Sequence, residues 1–251
     1  MSPAKKKARA YIGCSGFVYR HWRGVFYPEE LSQYRWLEYY AEKFDTVELN
    51  VTFYRLPNPS SFKSWKKRTP DDFIFVIKGS KLITHQKMLK DVESAVDELI
   101  ERASLLEAKL GPILWQLKPS HKIDLEVLKD FTALLKEKYP NLRHAFEFRN
   151  KTWFEPEVYK ILKKANMTFC HADWPTNLPQ PSDDFPYIYI RRHGPEGQAY
   201  RGCYSEKQLK DLAKKIKKWL NQGKDVYVYF NNDIEGYAPQ NALQLKKLIE
   251  G

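Results

Sequence analysis

The sequence predicts an α/β fold, a single (β/α)8 TIM-type barrel with an irregular, proline-rich connection between strands 6 and 7. Three observations carry this. Eight short apolar, β-branched or aromatic runs recur at Ala10–Cys14, Thr46–Leu49, Phe73–Ile77, Ile113–Leu117, His144–Phe148, Met167–His171, Tyr187–Ile190 and Val226–Phe230. Helical apolar spacing fills most of the intervals between them, as alternating βα units require. Nearly every run also ends on its C-terminal side in a polar or ionisable residue, and in a parallel barrel the strand C-termini and the loops after them form the active face.

The chain has 251 residues, about what one such barrel needs. Residues 1–9 read as a basic flexible tail and residues 10–251 as the single barrel domain. Between the third and fourth runs, Val92, Ala95, Val96, Leu99, Ala103 and Leu106 repeat at helical spacing, and Gly111-Pro112 stops the segment. After the seventh run, Ser205 suits an N-cap for a helix that buries Leu209, Leu212, Ala213, Ile216, Trp219 and Leu220, with Gly223 at C′. Lys214, Lys215, Lys217 and Lys218 fall off that apolar stripe, as a solvated face or an anion-binding patch. Between Asp173 and Tyr187, Pro175, Pro179, Pro181 and Pro186 break helical periodicity, so this crossover reads as a loop.

Composition narrows the function classes. Hydrophobic residues make up 43% and aromatics 15%, enough for a core and a lined pocket. No apolar stretch approaches the ~18 residues of a membrane span, and the basic start lacks the apolar segment of a secretory signal; the expectation is a cytoplasmic protein with no membrane contact. Cys14, Cys170 and Cys203 lack CxxC spacing and read as reduced thiols, the first two in the core. The net charge is +11, of which Lys5, Lys6, Lys7 and Arg9 contribute four. A positive field draws anionic partners, although lysine and glutamate enrichment also accompanies heat stability.

The chemistry-bearing residues sit at the run ends. Glu48 interrupts an apolar strand with the same parity as Asn50, and a buried carboxylate is costly unless paired or hydrogen-bonded; it marks a structural ion pair or a site. Alternation in Phe146-Glu147-Phe148-Arg149 puts Glu147 and Arg149 on one face, where they hold each other or a ligand, and Trp153 could cover the mouth. Lys78 closes an apolar run and could carry a lowered pKa or grip a phosphate as a point charge. His85 follows it as a candidate acid or base. Arg191-Arg192-His193-Gly194 and Asn231-Asn232-Asp233 end the last two runs, where such barrels commonly bind phosphate, and Gly194 would let backbone N–H groups approach a ligand. Glu48, His85, Glu147, His171, Asp173, His193 and Asp233 are types that bind divalent metals, but no HxH or HExxH spacing selects one, so no residue is assigned to a metal and the cofactor stays unknown.

The ordered motifs Ile12-Gly13-Cys14-Ser15-Gly16-Phe17, Trp22, Phe26-Tyr27-Pro28, Val47-Glu48-Leu49-Asn50, Phe53-Tyr54, Lys78, Thr84-His85, Trp115-Gln116-Leu117, Glu147-Phe148-Arg149, Trp153, Asp173, Arg191-Arg192-His193-Gly194 and Phe230-Asn231-Asn232-Asp233 resemble the YecE-like family, domain of unknown function 72. The resemblance spans about residues 10 to 249. It implies a TIM-type barrel and no settled activity; a kinship with barrel endonucleases that act at DNA lesions would rest on fold alone. Cys14 and Phe17 stand where the family more often has a small polar residue and tryptophan.

The leading functional expectation is an enzyme, possessing paired carboxylates as a hydrolase would, that binds a phosphate-bearing or otherwise anionic small molecule at the barrel mouth and acts by acid/base hydrolysis or lyase chemistry. Glu48, Glu147, Lys78, His85 and Asp173 are the catalytic candidates. Asn50, Tyr54, Gln116, Arg149, Trp153, Arg191, His193, Gly194, Asn231, Asn232 and Asp233 are the substrate-binding ones. The alternatives are a nucleic-acid-binding or repair protein that stacks an extruded base on Tyr54, Trp153 or Trp174, a glycosidase using two inward carboxylates, and a non-catalytic small-molecule sensor.

Overall fold

In the computed structural model, which describes residues 7–195, 197 and 199–251, eight parallel strands form a nearly closed barrel. They are β1 (Ala10–Cys14), β2 (Thr46–Leu49), β3 (Ile74–Lys78), β4 (Leu110–Gln116), β5 (His144–Glu147), β6 (Thr168–Ala172), β7 (Ile188–Arg192) and β8 (Val226–Phe230). Each pairs with its sequence neighbour from β2 to β8, and β8 pairs with β1 in register from Ala10–Val226 to Cys14–Phe230. Closure between β1 and β2 is narrow: a bridge joins Ser15 to Glu48, and the Gly16 N–H donates to the Glu48 carbonyl at 2.8 Å. The seam of the barrel therefore passes through the candidate site.

The helices are α1 (Trp36–Lys43), α2 (Val51–Tyr54), α3 (Pro59–Lys67), α4 (Glu93–Ser104), α5 (Leu125–Lys138), α6 (Pro156–Lys164), α7 (Glu206–Asn221) and α8 (Tyr237–Glu250). Helix α7 begins at Ser205, whose hydroxyl and Gln208 form a reciprocal capping box. Gly223 follows its end with φ 78°, the left-handed conformation that glycine takes without strain. Lys214, Lys215, Lys217 and Lys218 face solvent. No helix forms in the described chain between β6 and β7, as the prolines predict. No helix among the described residues is long and apolar enough to cross a membrane.

Gly111-Pro112 lies inside β4 rather than before it. The β3–β4 register passes from Phe75–Leu110 to Ile77–Ile113, so β4 carries an extra residue there. Proline has no N–H for the ladder, and a bulge absorbs that loss.

Alternation along the strands sorts two cores. Phe75, Ile77, Trp115, Phe146, Ile190 and Val228 face the helices. Tyr11, Val76, Leu114, Ala145, Cys170, Tyr187, Tyr189, Tyr227 and Tyr229 fill the barrel interior. At the floor Tyr11 stacks on Tyr227 with centroids 4.7 Å apart. Arg9, which the sequence placed in the tail, is tied into this floor: its guanidinium meets Asp45 at 2.6 Å, its N–H donates to Asp225 at 2.9 Å, and its carbonyl accepts from Val226. A neighbouring aspartate pair and a free ladder position outweigh the basic run it belongs to. Lys5 and Lys6 lie outside the described residues.

At Gly13 the β1 backbone passes close against the start of β2. A Cβ there would lie 2.3 Å from the Thr46 carbonyl oxygen and 2.9 Å from the Tyr40 hydroxyl. Gly13→Ala should therefore lower stability by about 1–3 kcal/mol, the usual cost of overpacking. A denaturation midpoint equal to that of the parent would show that β1 and β2 can separate freely.

Candidate active site

Above the interior tyrosines, the next inward layer is charged. Ser15, Glu48, Lys78, Gln116, Glu147 and Arg191 all lie in or directly after strands and are all buried. Glu48, Glu147 and Arg191 are each 0% exposed, so the first question is how three charges survive there.

Arg191 answers it by bridging both carboxylates. Its Nη2 and Nε donate to the two Glu48 oxygens at 2.7 and 3.1 Å, and Nη2 also donates to Ser15 Oγ at 2.9 Å. Its Nη1 donates to Glu147 Oε2 at 2.7 Å and lies 3.4 Å from His193 Nε2. Four of the five guanidinium N–H groups are thus engaged, and the fifth is boxed against His193. The Ser15 hydroxyl donates to Glu48 Oε1, and the Tyr189 hydroxyl donates to Oε2 at 2.6 Å. Asn50 Nδ2 donates to Ser15 Oγ at 2.9 Å, which places it beside Glu48 as its parity predicts.

Burial would raise both carboxyl pKa values, but the charges and donors outweigh it. Arg191, then the Ser15 and Tyr189 hydroxyls, hold Glu48 below the ordinary value. Arg149, Arg191 and His193 hold Glu147 well below it. Both are ionised at neutral pH.

Two cations remain at the top of this layer. Arg149 Nε donates to Glu147 Oε1 at 2.6 Å, and its guanidinium carbon lies 4.7 Å from the centroid of the Trp174 ring. Among the described residues, its terminal nitrogens donate no hydrogen bond. Lys78 is buried with its Nζ 4.3 Å from the centroid of the Phe53 ring. Its Nζ makes no ion pair or hydrogen bond among the described residues, while its carbonyl accepts from the Thr52 hydroxyl at 2.7 Å. Burial, then the Arg191 and Arg149 charges, push its pKa down to about 7. His85 packs edge-on against the same Phe53 ring at 4.9 Å and accepts from, or donates to, the Thr84 hydroxyl at 2.9 Å. Burial, then Lys78, Arg149, Lys118 and Lys81, push it down to about 4, so it is neutral.

His193 completes the layer. It is fully buried, its Nε2 is 3.4 Å from Glu147 Oε1, and Asn231 Nδ2 donates to its Nδ1 at 3.1 Å. Burial and then Arg191 lower its pKa.

The mouth therefore gathers Glu48, Asn50, Lys78, Gln116, Glu147, Arg149, Arg191, His193 and Asn231, with His85 beside Lys78. Gln116 turns its amide onto the Leu117 carbonyl at 2.7 Å. Other predicted residues stand elsewhere. Asp173 is an anchor: it accepts from the His193 N–H at 2.7 Å and from the Tyr204 hydroxyl, beside a cavity of about 370 Å³ that Arg192, Gly194 and Tyr204 also line. The Gly194 N–H donates to the Tyr204 hydroxyl at 2.8 Å and is not directed at the mouth. Asn232 donates to the Gly202 carbonyl at 2.8 Å and to Asn241 Oδ1 at 2.9 Å, toward α8. Asp233 lies beyond β8; its carbonyl accepts from His21 Nε2 at 2.6 Å, and burial raises its carboxyl pKa to about 6.

Two aromatic expectations need correction. Trp153 does not cover the mouth: it stacks on Phe148 at 4.5 Å in the outer core, because the Asn150 side chain caps a tight turn that swings it outward. Tyr54 is 79% exposed on α2, and Trp174 is the aromatic that meets the charged layer. Among the described residues no group of three or more His, Cys, Asp or Glu side chains is arranged to hold a metal ion. Of the candidate carboxylates, Glu48 and Glu147 are turned onto Arg191, and Asp173 is held by the His193 N–H and the Tyr204 hydroxyl. Ser15, a polar residue at the end of the first run, and Tyr189, which was not singled out, belong to the site as well; both share the inward parity, Tyr189 with Arg191 and Ser15 with Gly13.

Comparison with known proteins agrees with this architecture. The "UPF0759 protein YunF" of Bacillus subtilis (strain 168) is 26% identical over 270 residues, covering 96% of this chain and 94% of that one. The "UPF0759 protein YecE" of Escherichia coli (strain K12) is 40% identical over 81 residues, 32% of this chain and 30% of that one. The crystal structure of a DUF72 family protein from Thermotoga maritima MSB8 superposes with a TM-score of 0.86 at 34% identity, covering 97% of this chain and all of that one. The family model for the protein of unknown function DUF72 matches residues 11–251, and the chain belongs to that family.

Proposed function

We propose that this protein is an enzyme that binds an anionic small molecule at the C-terminal mouth of the barrel and acts on it by acid/base chemistry, with Arg149 and Lys78 as the anion grip. The observation that carries the reading is the unequal state of the three cations in one buried layer. Arg191 is engaged by Glu48, Glu147 and Ser15, whereas the Arg149 terminal nitrogens and Lys78 Nζ keep their donors uncommitted among the described residues. This moves the anion site from the ends of β7 and β8, where the sequence placed it, to the ends of β3 and β5. Lys78, with a pKa of about 7, is the group suited to exchange a proton at neutral pH. Glu48 and Glu147 are both ionised and tied down; they set the field. A glycosidase draws less support for the same reason, since it needs one carboxyl kept protonated.

Phosphate should raise the melting temperature through mass action, about 2.7 kcal/mol at one hundred times the dissociation constant, or roughly 5–10 °C in a chain of this size. Arg149→Gln should remove most of that shift. Anions also stabilise proteins by exclusion from their surface, so Lys214→Ala serves as the control and should leave it intact. The response should weaken as pH rises through 7 and Lys78 loses its charge. Equal responses from the parent and both variants would remove the basis for an anion site at the mouth. Salt-sensitive binding of single-stranded DNA, with no phosphate response, would favour the nucleic-acid reading instead.

A further inference from the structure

We propose that Lys78 is an amine nucleophile that captures the carbonyl carbon of a small α-keto acid as a covalent imine. This rests on the anion site above and adds to it a substrate class and a covalent step.

The contrast between the two buried lysines among the described residues carries the argument. Lys109 is tied as a structural lysine is: its Nζ donates to the carbonyls of Lys66 and Thr69, both at 2.7 Å. Lys78 is equally buried yet has no acceptor among the described residues, and lies instead over the face of Phe53. A buried ammonium without a partner is costly, and the fold places it there, inward-facing at the C-terminal end of β3, in the layer shared with Arg149 and Arg191. Desolvation beside another cation is the arrangement that activates an amine as a nucleophile. Its pKa of about 7 leaves a large share as free base at neutral pH.

The substrate class follows from the neighbour. The two terminal nitrogens of Arg149 form a planar fork matched to a carboxylate, and the face of Trp174 stacks on that guanidinium. A carbonyl adjacent to the gripped carboxylate is then presented to the amine. In the step, the Lys78 nitrogen lone pair forms the C–N bond and the carbonyl π pair moves to oxygen. That oxygen takes one proton from the attacking nitrogen and a second from solvent and leaves as water, while the remaining nitrogen lone pair forms C=N. The product is a protonated imine, and the net reaction consumes one proton. His85, neutral and on the same aromatic wall, can relay the proton from nitrogen to oxygen.

The full-length protein is incubated with pyruvate or glyoxylate and cyanoborohydride, which reduces the imine to a stable secondary amine. Intact-mass and peptide analysis should show one dominant adduct, equal to the keto acid less one oxygen atom, on the peptide that holds Lys78. Its yield should rise as pH climbs through 7, fall when phosphate competes, drop at least tenfold in Arg149→Gln, and vanish in Lys78→Arg. If Lys78→Arg fails to fold, the phosphate competition and the pH profile in the parent decide alone. A phosphate response with no adduct at Lys78, or adducts spread evenly over exposed lysines, overturns the imine and leaves the anion site standing. Loss of both overturns both.

Discussion

Arg191→Ala should destabilise the barrel by at least ~3–5 kcal/mol, the cost of removing one partner from a buried ion pair, because two carboxylates with no exposure would lose their shared cation. Against a total of about 5–15 kcal/mol for a folded domain this is enough to lower the melting temperature by ~10 °C or more, or to leave the protein insoluble. Arg191→Lys should rescue little, since an ammonium cannot supply the planar fork that reaches Glu48, Ser15 and Glu147 together. Circular dichroism melts of the three proteins decide it. An alanine variant as stable as the parent would mean that the carboxylates are protonated or hydrated, and the charged-layer account would fail.

Lys78→Met should do the opposite and stabilise. The lysine falls from its ordinary 10.5 to about 7 in the folded protein. At ~1.4 kcal/mol for each tenfold change in proton affinity, the buried charge costs on the order of a few kcal/mol. The sign follows from linkage: between pH 7 and 10.5 the unfolded chain binds more protons than the folded one, so the cost is present in full below 7 and fades toward 10.5. The stability gap between variant and parent should be widest near pH 6 and close by about pH 10. A variant less stable than the parent at pH 6 would show that Lys78 is a structural lysine like Lys109.

Much of the fold was legible because a barrel repeats one simple pattern. The eight runs and the Ser205 cap were read from periodicity and turn chemistry, and Glu147 with Arg149 from parity. What the sequence could not reveal is which inward side chains meet across the barrel. That depends on the register of non-neighbouring strands, and it is why Arg191 looked like a free anion ligand when β2 and β5 both supply it with carboxylates. Trp153 went astray because one asparagine-capped turn reverses its direction. Asp173 and Gly194 went astray because Tyr204, distant in sequence from Asp173, engages both. Arg9 was hidden within a basic run, and what ties it to the barrel, the carboxylates of Asp45 and Asp225, lies far from it in sequence.

The most direct test of the anion site is a crystal structure grown in phosphate. An anion should lie in contact with Lys78 Nζ and the terminal nitrogens of Arg149, with Arg191 still bridging Glu48 and Glu147. Phosphate held by Arg191, His193 and Asn231 with that bridge broken, or phosphate on the α7 lysines with none at the mouth, would contradict it.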